Sequence, residues 1–158
     1  MKLSAQEEYG MRCLLRIARG NPREGMTIPE ISRLEGLSPA NVAKLLRILR
    51  LGGFIESARG RSGGYRLAKP ADQIIVGDVL NVLGGRIYEE DFCDTHSGLN
   101  SICCNIIDCS MRTLWQSLQG ALDNVLNKVS LKDMLKSEQT VKKGTIAPRI
   151  EAAKSAAV

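Results

Sequence analysis

The sequence predicts a mainly α fold that contains one small β-hairpin and ends in a long helix. Aromatic residues make up only 4% of the 158 residues and hydrophobic residues 44%, so the core must come from aliphatic side chains, as in many helical proteins. Apolar residues also recur at three- and four-residue intervals between capping signals. One glycine-rich stretch lies between two short runs that are typical of strands.

Two helices are predicted in the first part of the chain. Residues 5–19 place apolar side chains on one face, and a Gly-Asn-Pro sequence ends that helix. Cys13 falls on the apolar face and is interpreted as a small core residue. The second, shorter helix spans residues 28–34, because Thr27 and Glu30 have the spacing of a capping box.

A third helix follows a turn at Gly36. Ser38 supplies its N-cap and Pro39 its first position, and Gly52 ends it. A short helix, a glycine-containing turn and a longer capped helix form the helix-turn-helix layout, in which the second helix enters the major groove of DNA. The candidate DNA-binding residues of this helix are Ser38, Asn41, Lys44 and Arg47.

The predicted hairpin joins strands at 54–57 and 65–67, and Arg59 and Arg61 lie in its glycine-rich connection. Cations at such a tip suit contact with phosphates or the minor groove. A phosphate-binding loop of an enzyme would instead lie between a strand and a helix and end in Gly-Lys-Ser or Gly-Lys-Thr, which is absent here. The hairpin is therefore interpreted as a wing, which makes residues 1–70 a winged helix-turn-helix domain.

The charge distribution supports a nucleic-acid partner. Of the net charge of +5, the basic excess lies in residues 1–69, with 13 basic against six acidic residues, whereas residues 70–131 carry three against eight. A basic domain favours a polyanion, here double-stranded DNA. No apolar run approaches the roughly 18 residues that a membrane span needs, and the first residues lack the apolar core of a signal peptide. A cytoplasmic protein without membrane contact is expected.

The second half of the chain is predicted to contain the helix through which two copies of the protein form a homodimer. Residues 71–110 should form a connecting helix and a cysteine-rich loop, and residues 111–135 a long helix. Its apolar stripe suits pairing with its copy in a two-fold dimer. The candidate dimerisation residues are Leu118, Leu122, Val125 and Val129. Residues 136–158 are polar, alanine-rich and basic, and are expected to be disordered.

Four of the five cysteines lie within one stretch, at Cys93, Cys103, Cys104 and Cys109. In a reducing compartment such a group indicates metal ligands or a redox sensor, and its density suits an iron-sulfur site. Zinc also accepts four thiolates, although two adjacent cysteines suit a closed zinc site poorly. A metal-free switch is the other alternative, with a disulfide from Cys93 or Cys104 to Cys109. An enzyme is not expected, because no Cys-x-x-Cys or Ser-His-Asp set is present.

Several motifs together resemble the Rrf-type family of winged-helix regulators, which includes the IscR, NsrR and RirA types. They are the wing with its Gly-Gly-Tyr-Arg-Leu sequence, the helix near residues 74–80, the cysteine loop and the Leu114-Trp115 pair. The resemblance extends from residue 1 to about 135. It implies a homodimer that binds a partly palindromic operator and senses redox state, nitric oxide or iron through a [2Fe-2S] or [4Fe-4S] cluster on three cysteines.

The resemblance also implies which cysteines are ligands. In the family the last ligand lies six residues before the Trp of the dimerisation helix, which selects Cys109 from Trp115. The middle one commonly lies six residues earlier, which selects Cys103, and the first begins the loop, which selects Cys93. Cys104 remains open as a replacement for Cys103, as a fourth ligand or as a free resolving thiol.

For the fourth ligand, the resemblance leaves three candidates. IscR-type proteins use a His three residues beyond the last cysteine, a position that is Arg112 here and cannot ligate. NsrR-like relatives use an acidic side chain near the N-terminus of the partner subunit, and Glu8 matches that position. Cys104 and His96 are the other candidates, although a single His in a polar loop is usually only solvated.

Overall fold

The computed structural model describes residues 3–58, 63–89, 91–96 and 109–136. The mainly α fold with a two-stranded wing is confirmed. No helix in these ranges has the length and apolar character to span a membrane. The elements are α1 (Ala5–Arg19), α2 (Ile28–Glu35), α3 (Pro39–Leu51), β1 (Ile55–Ala58), β2 (Gly64–Leu67), a 3-10 helix (Ala71–Gln73), α4 (Val76–Gly84), α5 (Phe92–Thr95), α6 (Ser110–Leu126) and α7 (Leu131–Met134).

The chain divides into two compact units. The first unit takes its residues from Met1–Gly85 and Val125–Val158, and the second from Arg86–Asn124. The first unit therefore contains the helix-turn-helix, the wing and α4, although α4 is predicted to belong with the cysteine loop. The second unit contains α5 and most of α6.

Side-chain caps start the first three helices, and those at Thr27 and Ser38 are the predicted ones. Ser4 and Glu7 form a capping box on α1, and Thr27 and Glu30 form another on α2. The Ser38 hydroxyl accepts a hydrogen bond from the main-chain N–H of Asn41 at 3.3 Å and starts α3. Each cap satisfies N–H groups that have no partner within the helix, so the sequence sets the start of all three.

The core of the first unit is aliphatic, as the composition predicts. The largest fully buried side chains include Leu14 of α1, Ile31 of α2 and Leu45 and Leu49 of α3. Cys13 is also fully buried among them, which confirms its interpretation as a core residue. Burial of such side chains against neighbouring helices supplies most of the stability of an amphipathic helix.

The wing is an antiparallel pair of strands with Ile55 opposite Leu67 and Ala58 opposite Gly64. The chain before α2 adds to it, because Met26 and Tyr65 exchange two main-chain hydrogen bonds of 2.9 and 2.8 Å. A Cβ atom at Gly64 would lie 2.9 Å from the main chain of Met26. The close approach of the two main chains therefore requires glycine at position 64.

The C-terminal helix is shorter than the predicted span of 111–135. It ends at Leu126, and the chain then returns to α4: Val129 accepts a hydrogen bond from the Val76 N–H at 2.9 Å, and Leu131 donates one to Ile74 at 2.8 Å. Val129 is only 4% exposed and belongs to the core of the first unit. Its predicted place in a dimer seam is therefore wrong, because its own chain already covers it.

Candidate functional site

The recognition helix α3 presents polar side chains on its outer face. Its inner face is buried through Val42, Leu45, Leu46 and Leu49, so the residues between them must point outward. Lys44 and Arg47 are exposed, Ser38 is exposed at the N-cap, and Asn41 is half-buried. This arrangement leaves two cations and the first turn of α3 accessible to a ligand, as major-groove insertion requires.

The wing supplies a different charge pattern. Arg59 and Arg61, the predicted tip cations, lie outside the described residues. On the strands, Arg66 donates through Nε to the Glu56 carboxylate at 2.7 Å across the register pair that the two residues form. The charge of Arg66 is therefore balanced by the neighbouring strand.

An ion cluster joins α1 to the end of α2. Arg12 Nε and Arg16 Nε donate to the two carboxylate oxygens of Glu35 at 2.9 and 2.6 Å, and the Glu35 side chain is only 7% exposed. Burial raises the pKa of Glu35, but the hydrogen bonds from both arginines outweigh it and hold that pKa below its usual range. Gly36 follows at once, with φ 67°, and starts the turn to α3.

The second unit brings two of the predicted ligands together. Cys93 of α5 and Cys109, which directly precedes α6, line one cavity of about 170 Å³. Both are free, half-buried thiols. The other lining residues are mostly aromatic or cationic: Tyr88, Phe92, His96, Met111, Arg112 and Trp115. Two thiols that lie far apart in sequence therefore face the same space.

Polar groups surround both thiols. Arg112 forms a side-chain hydrogen bond with Cys93, and this bond is the main reason that the pKa of Arg112 is raised. The pKa of Tyr88 is raised first by desolvation and then by its own side-chain hydrogen bond with Cys93. The main-chain N–H of Arg112 donates to Cys109 Sγ at 3.4 Å. Both thiols therefore have polar groups beside them.

His96 forms one stacking contact and two polar contacts within its own segment. Its ring stacks on Phe92 at a centroid distance of 4.1 Å. Its Nδ1 lies 2.9 Å from the Phe92 carbonyl oxygen and 2.9 Å from the Thr95 hydroxyl. A proton on Nδ1 suits the carbonyl, and that tautomer makes Nε2 the atom with a lone pair.

The residues present fit a thiolate-held cluster, as far as the structure describes them. Cys93 and Cys109 provide two soft ligands that line one cavity with N–H and guanidinium donors, and thiolates beside such donors suit iron-sulfur ligation. Cys103 and Cys104 lie outside the described residues, and within the described ranges no group of three metal-binding side chains occurs. The described residues therefore supply two of the predicted cysteine ligands.

The remaining predicted residues lie on exposed surfaces. Glu8 is exposed on the first turns of α1 and borders a mainly apolar cavity of about 330 Å³. On α6, Leu118 and Val125 are 36% and 40% exposed and Leu122 is half-buried. An apolar stripe with this exposure is available for a partner helix.

Sequence reasoning missed three residues of this site. Arg112 was considered only as a failed ligand, although its place in the first turn of α6 directs its N–H to Cys109. Tyr88 and the buried Gln119 belong to no sequence motif or apolar repeat. Their roles depend on the long-range contact between residues 87–88 and α6, which forms only in the folded chain. The short helix α5, which carries Cys93, was not predicted either.

Comparison with known proteins identifies the family of the chain. Residues 3–137 match the family model Rrf2, described as "Iron-dependent Transcriptional regulator". The chain is 35% identical over 136 residues to protein rrf2 of Nitratidesulfovibrio vulgaris, with 86% of this chain and 88% of that protein covered. It is 28% identical to the HTH-type transcriptional regulator IscR of Vibrio atlanticus, with 89% and 79% covered.

Solved structures give the same result. CymR of B. subtilis, described as a global cysteine regulator, superposes with a TM-score of 0.63 at 26% identity over 85% of this chain and 96% of that chain. The oxidized form of Staphylococcus aureus CymR gives a TM-score of 0.63 at 26% identity over 87% and 98%. These likenesses concern transcriptional regulators and not enzymes. The chain belongs to the Rrf2 family of DNA-binding transcriptional regulators.

Proposed function

We propose that the protein is a homodimeric regulator that binds an operator and senses redox state, nitric oxide or iron supply through an iron-sulfur cluster, [2Fe-2S] or [4Fe-4S], in its 93–109 segment. The observation that carries the proposal is the cavity shared by Cys93 and Cys109 in a chain of the Rrf2 family. Neither thiol is used for core packing, which contrasts with the fully buried Cys13.

In the DNA-binding step, α3 enters the major groove by its first turns. Ser38 and Asn41 then lie nearest the base edges, and Lys44 and Arg47 meet bases or phosphates from the exposed face. Arg59 and Arg61 of the wing contact the neighbouring phosphates or minor groove. Because these contacts neutralise phosphates, operator affinity falls as the salt concentration rises.

In the sensing step, the ligands are Cys93, Cys103 and Cys109, with Cys104 as the alternative to Cys103. A cluster supplies an iron centre that responds to oxidants and to small ligands of iron. Arg112 and Tyr88 line the same cavity as Cys93 and place polar groups beside it. Glu8 of the partner subunit provides the fourth ligand, which would couple the sensor of one subunit to the first helix of the other.

The dimer forms through the apolar face of α6. Since Val129 is excluded, the proposed dimer contacts are Leu118, Leu122 and Val125. Each has exposed surface that a partner helix can cover. A charge placed there would be buried without a partner, at a cost of several kcal/mol. Leu122→Asp should therefore give monomers in light scattering at micromolar concentration, whereas Ser117→Ala, on an exposed position of the same helix, should remain dimeric.

Anaerobic purification followed by iron and sulfide analysis tests the cluster. The parent should contain iron and sulfide and absorb at about 400–460 nm, and Cys93→Ser or Cys109→Ser should lose both signals. Cys13→Ser is the matched control, because Cys13 is fully buried in the first unit. A parent protein that contains no iron after anaerobic purification would contradict the proposal.

A cluster-free thiol switch is the second candidate. It is favoured by the shared cavity of Cys93 and Cys109 and by the likeness to the oxidized form of CymR. Hydrogen peroxide would oxidise one thiolate to a sulfenic acid and release hydroxide, and the second thiol would then displace water from the sulfenic acid to form the disulfide. Mass spectrometry of peroxide-treated, iron-free protein should then find a Cys93–Cys109 peptide pair and a changed operator affinity.

A further inference from the structure

Gln119 holds the segment that leads into the thiol site. The residue is only 7% exposed. Its Oε1 accepts hydrogen bonds from the main-chain N–H groups of Ile87 at 2.9 Å and Tyr88 at 3.3 Å. Its Nε2 donates to Asp123 Oδ1 at 2.9 Å, and Arg86 pairs with the other oxygen of Asp123.

The segment from Arg86 to Tyr88 is positioned by side chains alone, as far as the described ranges extend. The Arg86 N–H donates to Glu89 Oε1 at 3.2 Å, and the next two N–H groups go to Gln119. None of the three bonds a main-chain carbonyl in these ranges. No strand or helix holds this segment. The position of its last residue, Tyr88, therefore depends on the hydrogen bond from its N–H to Gln119 on α6.

The last residue of that segment is Tyr88, whose ring faces the thiol site. The ring packs on Phe92, the residue before Cys93, at a centroid distance of 5.4 Å, and Tyr88 and Cys93 line the same cavity. A displacement of the Tyr88 main chain would move the ring away from Phe92 and from this cavity, because the ring is rigid. Two hydrogen bonds and one ring contact therefore connect the middle of α6 to the thiol site.

We propose that Gln119 is a positioning residue for Cys93, acting through the Tyr88 main chain. The proposal rests on the proposed function, in which Cys93 is a ligand. Burying an amide costs free energy unless its oxygen and nitrogen form hydrogen bonds. The Gln119 oxygen accepts two hydrogen bonds from the segment and its nitrogen donates one to Asp123. It also joins the proposed dimer helix to the sensor site, since Leu118 and Leu122 flank it on α6.

The test uses three variants. Gln119→Met keeps the approximate shape and removes the hydrogen bonds. The pair Gln119→Glu with Asp123→Asn reverses the donor and acceptor between the two side chains, keeps the net charge and retains an oxygen for the N–H groups of Ile87 and Tyr88. Ser117→Ala is the control, because Ser117 is exposed on α6 and its hydroxyl bonds only within the helix, to Thr113.

In the metal-free protein, NMR should report the segment directly. Amide exchange at Ile87 and Tyr88 should rise about tenfold in Gln119→Met, the order expected for loss of a buried hydrogen bond, and the Overhauser contact between the Tyr88 and Phe92 rings should disappear. The reversed pair should restore both signals. Unchanged exchange in Gln119→Met, or faster exchange with the ring contact intact, would overturn the proposal.

In the cluster-loaded protein, visible circular dichroism gives a separate signal of the Cys93 ligand environment. It should change in Gln119→Met and return in the reversed pair, and Ser117→Ala should match the parent. An unchanged dichroism spectrum would overturn the positioning role. If Cys93→Ser retained a parent-like cluster, the proposed ligand set would fail instead, whatever the NMR result for Gln119.

Discussion

Arg12 hydrogen-bonds Glu35 twice, through Nε to the carboxylate at 2.9 Å and through Nη2 to the main-chain carbonyl at 2.8 Å. Glu35 is the last residue of α2, so Arg12 satisfies a carbonyl that the helix leaves unbonded. The next residue, Gly36, adopts the left-handed conformation that ends the helix. The start of the turn to the recognition helix is therefore fixed from α1.

Replacing Glu35 with Gln should destabilise the first unit. The change leaves Arg12 and Arg16 without their shared carboxylate, but both arginines are 30–39% exposed and water screens them. A loss of about 1–2 kcal/mol in the free energy of unfolding is expected, between the values for exposed and buried pairs. Urea denaturation measures it, and Glu24→Gln, at an exposed position, is the control. Equal losses in the two variants would contradict this role.

Lowering the pH should destabilise helix α7, because Asp133 becomes protonated. Its hydrogen bonds from Lys136 and Ser130 lower its pKa from 3.8 to about 2. A lowered native pKa means that the contribution is complete above pH 3.8 and is lost as the pH falls toward 2. The acid limb of the stability profile should therefore be flatter in Asp133→Asn. Asp72→Asn, which removes an exposed ion pair of 3.3 Å with Lys132, is the comparison.

A methyl group at position 64 should disturb the wing. In Gly64→Ala the Cβ would lie 2.9 Å from the Met26 main chain, so strand β2 must shift, at a cost of about 1–3 kcal/mol. Gly120→Ala meets no atom within 4 Å on α6, and should stabilise that helix by up to about 1 kcal/mol. Thermal melting compares the two, and a stable Gly64→Ala variant would exclude the close approach.

Operator binding should depend on the exposed cations and little on the paired one. Lys44→Ala with Arg47→Ala, and separately Arg59→Ala with Arg61→Ala, should weaken binding and reduce the salt slope by about one for each phosphate that is no longer neutralised. Arg66→Ala should change the slope less, because Glu56 already balances its charge at 2.7 Å. Fluorescence anisotropy at several salt concentrations measures these slopes. A slope that stays at the parent value in the Arg59/Arg61 variant would exclude the wing from phosphate contact.

Thiol reagents should distinguish the core cysteine from the sensor cysteines. Burial raises the pKa of Cys13 to about 11, so at pH 8 only about one molecule in a thousand carries the reactive thiolate. Peptide mapping after iodoacetamide treatment of iron-free protein should find Cys93 and Cys109 modified and Cys13 protected until denaturant is added. Early modification of Cys13 would mean that the first unit opens readily.

The sequence predicted those parts of the fold that depend on local signals. The apolar periodicity of residues 5–19 located the first helix, the caps at Thr27 and Ser38 located the next two, and the glycine-rich arginine segment located the wing. The end of α6 was missed because apolar spacing continued to Val129, and the capping box of Ser130 with Asp133 was overlooked. The contact of Val129 with Val76 is long-range, and no local pattern encodes it.

The candidate site was predictable in composition but not in geometry. The number and spacing of the cysteines indicated a thiol site, and the fold adds that Cys93 and Cys109 line one cavity. The roles of Tyr88 and Gln119 beside the thiols depend on the contact between residues 87–88 and α6. No periodic pattern in the sequence indicates that contact. The choice of Cys103 over Cys104 remains a prediction.

The main-chain bonds that join Ile74 and Val76 to Leu131 and Val129 have a consequence for how this protein can vary. They close the first unit on itself, so residues 86–124 form an insertion whose two ends are both anchored there. The number of residues between these two anchors can therefore change in evolution while the main-chain bonds that close the DNA-binding unit stay the same.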